Sequence, residues 1–270
     1  MDDRKGLYAD PMVYDILYSP NTAVEVTAFE KVEALLATAV LKKDRVWLEP
    51  ACGTGRYLRV ARRRGRQTVG FDLDAGQIEY AQKRQKFPPG GTSKQRYFKA
   101  DMRSFFDAAA DFGLPRQSVD FAFNPVNSIR HLESDKEMLD HFEQMAKILK
   151  PGAVYVVGIS LTDYNWLMPE EDLWEGARGR CKVSQLINFL PPEPDTRRAR
   201  IETALSHLTV TRPRGEEHFD DAYDLRTYDE KQWRELIGKS RFKTAGSFDA
   251  WGRPLDGRVL PYQLEAMVAP

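Results

Sequence analysis

A doubly wound α/β fold around a mostly parallel sheet is the class this chain predicts, and three observations predict it. Five short β-branched or aromatic runs alternate with stretches of helical periodicity between residues 45 and 157, the order that a parallel sheet with helices on both faces requires. Two further strand-like runs follow a last helical stretch near the end of the sequence, which brings the count to seven strands and closes the sheet with an antiparallel hairpin. The length, 270 residues, suits one large domain or one domain carrying an insertion.

In order, a helix over roughly Val24 to Val40 precedes the first strand, Arg45 to Glu49. The next strands are Thr68 to Asp72, Arg96 to Ala100, Val119 to Phe123 and Ala153 to Val157. Between them, Ile78, Tyr80 and Ala81 mark a helix over Ala75 to Lys86. Met138, Leu139, Phe142, Met145, Ala146 and Leu149 recur at spacings of three and four until Pro151-Gly152 stops the run. After Leu161 the chain turns rich in Pro, Arg and Glu as far as Tyr228, with alternation near Ile201 to Thr211 and Ala222 to Tyr228, which reads as an inserted antiparallel β unit. A helix around Trp233, Leu236 and Ile237 and the strands Lys243 to Phe248 and Tyr262 to Val268 return to the core. The expected organisation is an N-terminal segment 1–40, a core 41–161, an insert 162–228 and a return 229–270.

Composition narrows the function classes. Hydrophobic residues at 42% and charged residues at 30% are globular proportions. Forty Lys and Arg against forty Asp and Glu leave no net charge, so no global field draws the chain to nucleic acid or anionic lipid. Cys52 and Cys181 stand far apart without metal-type spacing, which predicts a reducing compartment, no disulfide framework and no metal site. No apolar stretch follows Met1 to Gly6, and the longest apolar run, Gly152 to Leu161, is too short to span a bilayer. A cytoplasmic protein is expected.

The strongest chemical signal runs from Val46 to Tyr57: a strand ending in Glu49, a small-residue turn of Ala51, Cys52, Gly53, Thr54 and Gly55, then a helix. Glycines belong where a nucleotide-like ligand crosses close to the backbone. Asp72, which ends the second strand, lies near the roughly 20-residue offset expected of an acid that grips a ribose diol. A dinucleotide GxGxxG would need glycine at 51, 53 and 56, where the chain has Ala51, Gly53 and Arg56, and no GxxxxGK[ST] phosphate loop occurs.

On these residues the chain resembles the class I S-adenosylmethionine-dependent methyltransferases, whose first motif reads acidic-x-Gly-x-Gly-x-Gly; here the series is Glu49, Ala51, Gly53, Gly55. The resemblance continues through Lys99-Ala100-Asp101-Met102, the fourth strand and Leu149-Lys150-Pro151-Gly152, covering roughly Leu41 to Leu161. It implies a Rossmann-like core, an enzyme that transfers a methyl group from S-adenosyl-L-methionine and releases S-adenosyl-L-homocysteine, and a set of roles. Glu49 would meet the cofactor ammonium, Asp72 both ribose hydroxyls, Leu73 the adenine face, Asp101 the adenine amino group and Met102 an apolar wall. Ala51, Cys52, Gly53, Gly55, Ala100, Asn124 and Pro125 complete the cofactor set. The alternative for Asp101 is a helix N-cap before Met102 to Phe106, and Asp74 reads as a cap.

The acceptor side falls on Phe123 to Leu132. Methyltransferases acting on base or amide NH₂ groups carry Asn/Asp-Pro-Pro-aromatic here, whereas this chain has Asn124-Pro125-Val126-Asn127 and lacks the stacking ring. Asn-Ser followed by His-Leu is closer to small-molecule enzymes of the glycine and sarcosine N-methyltransferase type. Asn127 and His131 are the candidate acceptor-side catalytic residues, His131 either as a base near its reference pKa of about 6.5 or as a packed helix residue. Arg130 pairs with a substrate carboxylate or is solvated. Tyr14, in the N-terminal segment with Tyr8 and Tyr18, closes over the cofactor as a lid or packs on the core. Trp166, Arg180, Arg226 and Tyr228 are candidates for the substrate pocket, and the run Arg62 to Arg66 reads as a helix end. The implied partner is a small-molecule acceptor, without a membrane and without nucleic acid, and a homodimer is left open. Two alternatives stay open: methylation of a nucleic acid or protein, and a non-enzymatic scaffold with this fold.

Overall fold

In the computed structural model, which describes residues 6–37, 44–84 and 96–270, the helices in chain order are α1 (Pro11–Tyr18), α2 (Thr22–Leu36), α3 (Arg56–Arg63), α4 (Ala75–Lys83), α5 (Phe106–Asp111), α6 (Asp135–Ile148) and α7 (Glu230–Lys239). The strands are β1 (Val46–Pro50), β2 (Gln67–Asp72), β3 (Arg96–Lys99), β4 (Val119–Asn124), β5 (Leu149–Ser160), β6 (Glu170–Arg178), β7 (Cys181–Leu190), β8 (Ile201–Arg212), β9 (Gly215–Arg226), β10 (Lys243–Phe248) and β11 (Tyr262–Val268). They form two units, one of residues 23–162 with 228–270, the other of 163–227 with the described residues up to Thr22.

The larger unit is built on a seven-stranded sheet of order β10-β11-β5-β4-β1-β2-β3. Strands β1 to β5 pair in parallel, and β11 runs antiparallel to both β5 and β10, the mostly parallel sheet with a closing hairpin that the sequence predicts. Alternate side chains supply two cores, one on each face. Phe71, Phe105, Phe142, Tyr155 and Trp233 belong to one; Phe29, Trp47, Tyr57, Phe121 and Phe248 belong to the other, which α2 and α3 cover. The basic run after α3 is tied down here: Gly65 takes φ 92, Arg64 donates to the Ala23 carbonyl at 2.8 Å, and Arg66 sits 5.1 Å over the Trp47 ring. Buried Glu33 lies between Arg45, at 2.7 Å, and Arg66, at 3.5 Å.

Two boundaries differ from expectation. Strand β5 starts at Leu149, so Pro151-Gly152 lies inside its exposed first turn of residues rather than ending α6. The helix before β1 ends at Leu36 and α4 ends at Lys83, short of the expected spans, with Ala37 and Arg84 outside the helices; residues 38–40 and 85–86 of those spans lie outside the described residues.

The smaller unit is a four-stranded antiparallel sheet, β6-β7-β8-β9. Helix α1 lays Val13, Ile16 and Leu17 on Val183, Leu208 and Val210 of that sheet. Polar ties fix it: Asp15 pairs with Arg178 at 2.6 Å, and Tyr18 donates to Gln185 at 2.9 Å, whose amide donates to Ser206 at 2.7 Å. Among the described residues no helix is long and apolar enough to cross a membrane, no cluster of metal-ligating side chains occurs, and both cysteines are free thiols.

Candidate functional site

In a doubly wound sheet, ligands meet the loops that leave the carboxyl ends of the parallel strands. After β1 the backbone alternates into the left-handed region at Ala51 (φ 51), Gly53 (φ 50) and Gly55 (φ 70). A Cβ at Gly55 would collide with the Tyr97 hydroxyl, so this turn lies tight on β3 only because glycine stands there. Ala51, where the resembling family has glycine, carries the cost of an L-residue in that region, about 1–2 kcal/mol. The loop is fastened to β2: Cys52 N–H donates to the Phe71 carbonyl at 2.9 Å, and Gly53 N–H donates to Asp72 Oδ2 at 2.8 Å. Asp72 Oδ1 accepts from Asp74 N–H at 2.9 Å. Burial raises its pKa, which backbone hydrogen bonds from Asp74, Gly53 and Leu73 partly offset. Asp74 itself caps α4 through Gln77 N–H at 2.9 Å.

Glu49 is 2% exposed, and its Oε2 has no hydrogen-bond partner. Burial pushes its carboxyl well above the usual range; the Arg56 and Arg59 cations pull the other way, and Asp72 adds to the rise. Arg56, at the start of α3, pairs with Glu25 of α2 at 2.9 Å and stacks 3.8 Å over the Tyr57 ring. One strand over, Asn124 closes β4 and is fully buried. Its Nδ2 donates to the Pro50 carbonyl at 2.8 Å and approaches Met102 Sδ at 3.9 Å, while Oδ1 has no partner. Two buried acceptor oxygens without donors, each costing about 1–3 kcal/mol if left so, stand at neighbouring strand ends. They call for a ligand rich in donors, and an ammonium is such a group.

Leu73, beside Asp72, is 62% exposed, an apolar side chain open to a planar ligand. Ala100 and Met102 are half-buried after β3. The Met102 carbonyl accepts from His141 Nδ1 at 3.1 Å, which leaves Nε2 to accept from the Tyr155 hydroxyl at 2.8 Å; burial holds His141 neutral, its pKa pushed down to about 4. Asp101 is held by the Arg103 fork, Nη2 to Oδ2 at 2.6 Å, and accepts Arg103 N–H at 2.8 Å. That ion pair lowers its pKa. The expected helix cap at Asp101 is therefore a local turn instead, since α5 starts only at Phe106.

The turn after β4 is of another kind. Val126 and Asn127 both take positive φ, 54° and 59°, and a β-branched residue there is a genuine outlier. The Val126 N–H donates to the Tyr262 hydroxyl at 3.0 Å, Asn127 N–H donates to the Gly158 carbonyl at 3.0 Å, and the Asn127 amide clasps Ser160 twice. Its Oδ1 accepts Ser160 N–H at 2.6 Å and its Nδ2 donates to Ser160 Oγ at 3.0 Å. Asn127, expected to face the acceptor, thus spends its amide on β5. His131 ends a 3₁₀ turn (Ser128–His131) rather than opening α6. Desolvation of its ring and the neighbouring Arg130 disfavour the imidazolium, so its pKa lies below the ordinary value although the residue is exposed. Arg130 is 2% exposed, which excludes the solvated reading.

Tyr14, Trp166, Arg180 and Arg226 belong to the smaller unit. The Tyr14 ring packs at a tilt against those of Tyr8 and Tyr18, centroids 5.8 and 4.8 Å away; Trp166 is 75% exposed; Arg180 is exposed in the β6–β7 turn, and Arg226 ends β9 half-buried. Tyr228, expected in the substrate pocket, is fully buried in the core of the larger unit, edge-on to Trp233 at 5.6 Å. Its aromatic ring is needed for packing there. Tyr262, Ser160 and Gly158 were not among the expected site residues; an isolated glycine inside the apolar run Val156-Val157-Gly158-Ile159 is the signal that points to a close approach.

Comparison with known proteins agrees with this geometry. Residues 48–157 match the methyltransferase domain family. A curated tRNA (guanine-N(7)-)-methyltransferase of Ruegeria pomeroyi is 30% identical over 124 residues, 44% of this chain and 49% of that protein; the chain thus matches about half the length of that relative. Among solved structures, DesVI of Streptomyces venezuelae superposes with a TM-score of 0.70 at 20% identity, covering 96% of this chain and 98% of that one. The sugar N-methyltransferase KedS8 of a Streptoalloteichus species gives 0.70 at 18%, covering 100% and 95%. At such identities the likeness is one of fold, and it extends over both units.

Proposed function

We propose that the chain is an S-adenosylmethionine-dependent methyltransferase acting on a small-molecule acceptor. The observation that carries this reading is the orphaned, buried Oε2 of Glu49 beside a turn whose backbone hugs β2 and β3. Glu49 would hold the cofactor ammonium with Asn124 Oδ1 beside it, Asp72 the ribose diol, and Leu73 with Met102 the adenine. Bound there, the cofactor supplies an electrophilic methyl on a sulfonium. The protein's share is then to fix the acceptor atom in line and exclude water, which can contribute roughly 7–11 kcal/mol, and a neutral His131 is fit to take a proton from an amine or hydroxyl.

An amino group on a sugar-sized molecule is the acceptor class that the names of the structural neighbours favour, and a glycine- or sarcosine-like amine is the alternative from the residues themselves. A cytoplasmic site of action accords with two free thiols. A nucleic-acid acceptor is favoured by one observation, the match to a tRNA enzyme. The test is release of S-adenosylhomocysteine on a panel of amino sugars, small amines, phenols and unmodified tRNA. Turnover on a small molecule supports the reading; turnover on tRNA alone overturns it.

A further inference from the structure

The bond between β11 and the turn after β4 passes over an intervening strand, and one position makes this possible. In the order β11-β5-β4, a residue of β11 reaches β4 only across β5. At Gly158 of β5 a side chain would collide with the Tyr262 hydroxyl and come within 2.9 Å of its Cζ and 3.1 Å of Pro125 Cα. Glycine leaves the gap, and the hydroxyl lies in it to meet the Val126 N–H. Val126 is where help is needed: its positive φ is sustained only if the surroundings over-determine it, at a cost of about 1–3 kcal/mol.

We propose that Tyr262 is a positioning residue for methyl transfer: its hydroxyl, seated over Gly158, holds the Val126 N–H and thereby keeps Asn124 and Pro125 at the end of β4 in the arrangement that faces the cofactor methyl and the acceptor. The proposal rests on the methyltransferase reading for its catalytic consequence, while the clasp itself is independent of it. Tyr262 acts through the turn, by its bond to the Val126 N–H. Asn127 and Ser160 hold the far side of the same turn, so the turn is gripped from β5 and from β11 at once.

The test uses the full chain as wild type, Tyr262→Phe, Val126→Asn and the double variant. Two readouts are taken: amide exchange at Val126 by NMR with S-adenosylmethionine titrated in, and S-adenosylhomocysteine release on the acceptor panel above. Tyr262→Phe is expected to speed Val126 exchange roughly tenfold, leave S-adenosylmethionine affinity within about threefold and lower turnover about tenfold or more. Asn tolerates positive φ, so the double variant should regain most of that turnover, which a packing role for the ring would not allow. Unchanged Val126 exchange in Tyr262→Phe overturns the proposal, as does a turnover loss that Val126→Asn fails to relieve. A wild type that binds no S-adenosylmethionine defeats the functional reading instead, and Val126 exchange still decides the clasp.

Discussion

The turns after β1 and β4 lie at neighbouring strand ends and both run through positive φ, yet they are built oppositely. After β1, glycine relieves two of the three positive-φ positions and two buried oxygens nearby, Glu49 Oε2 and Asn124 Oδ1, lack donors. After β4, no glycine relieves Val126 or Asn127, and the polar groups there are engaged by Tyr262, Gly158 and Ser160. One turn is, Ala51 apart, relaxed in its backbone and incomplete in its hydrogen bonds, as a binding loop should be. The other is strained and complete, as a fixed reference surface should be. A ligand is needed to finish the first and would only disturb the second.

Breaking the first turn should therefore cost affinity, and breaking the second stability or turnover. The largest effect is expected for Asp72→Ala, which removes the partner of Gly53 N–H together with the ribose acceptor: S-adenosylmethionine affinity should fall about 100-fold, read by calorimetry. Glu49→Gln should weaken binding about tenfold and abolish its pH dependence. The sign follows from burial. Because Glu49 in the free protein holds its proton above the usual carboxylate range, an incoming ammonium must expel that proton, so wild-type affinity rises with pH from the usual range to the raised value and then levels. Stability of the free protein runs the other way over that window, falling as Glu49 ionises, and Glu49→Gln should flatten this too.

Asn127→Ala opens the clasp on Ser160 and should destabilise the fold by about 1–2 kcal/mol in urea titration, with S-adenosylmethionine affinity nearly unchanged. A loss of affinity as large as that of Glu49→Gln would erase the distinction between the turns. The smallest effect is a gain: Ala51→Gly relieves φ 51 and should raise stability by up to about 1 kcal/mol without weakening the cofactor.

The same contrast explains what the sequence made legible. Glu49, Gly53, Gly55 and Asp72 lie within local strand–turn–helix segments, where residue type and spacing point to the chemistry, and the seven-strand alternation is equally local. The turn after β4 depends on Ser160, 33 residues on, and on Tyr262, 136 residues on, so Asn127 reads as an acceptor ligand until β5 is seen beside it. Tyr228 misleads for a similar reason, since only the packing of α7 shows its ring against Trp233. Strand β6 escapes notice because Glu170-Glu171-Asp172 at its start offers no apolar alternation, whereas β8 declares itself through Ala204, Leu208 and Val210.

The central claim is that the relaxed, incomplete turn after β1 binds S-adenosylmethionine, and the most direct test is calorimetric titration of the intact chain with S-adenosylmethionine, S-adenosylhomocysteine and NAD in parallel. Micromolar binding of the first two, with none of NAD, is the predicted result. Binding of NAD alone, or of none of the three, would contradict it.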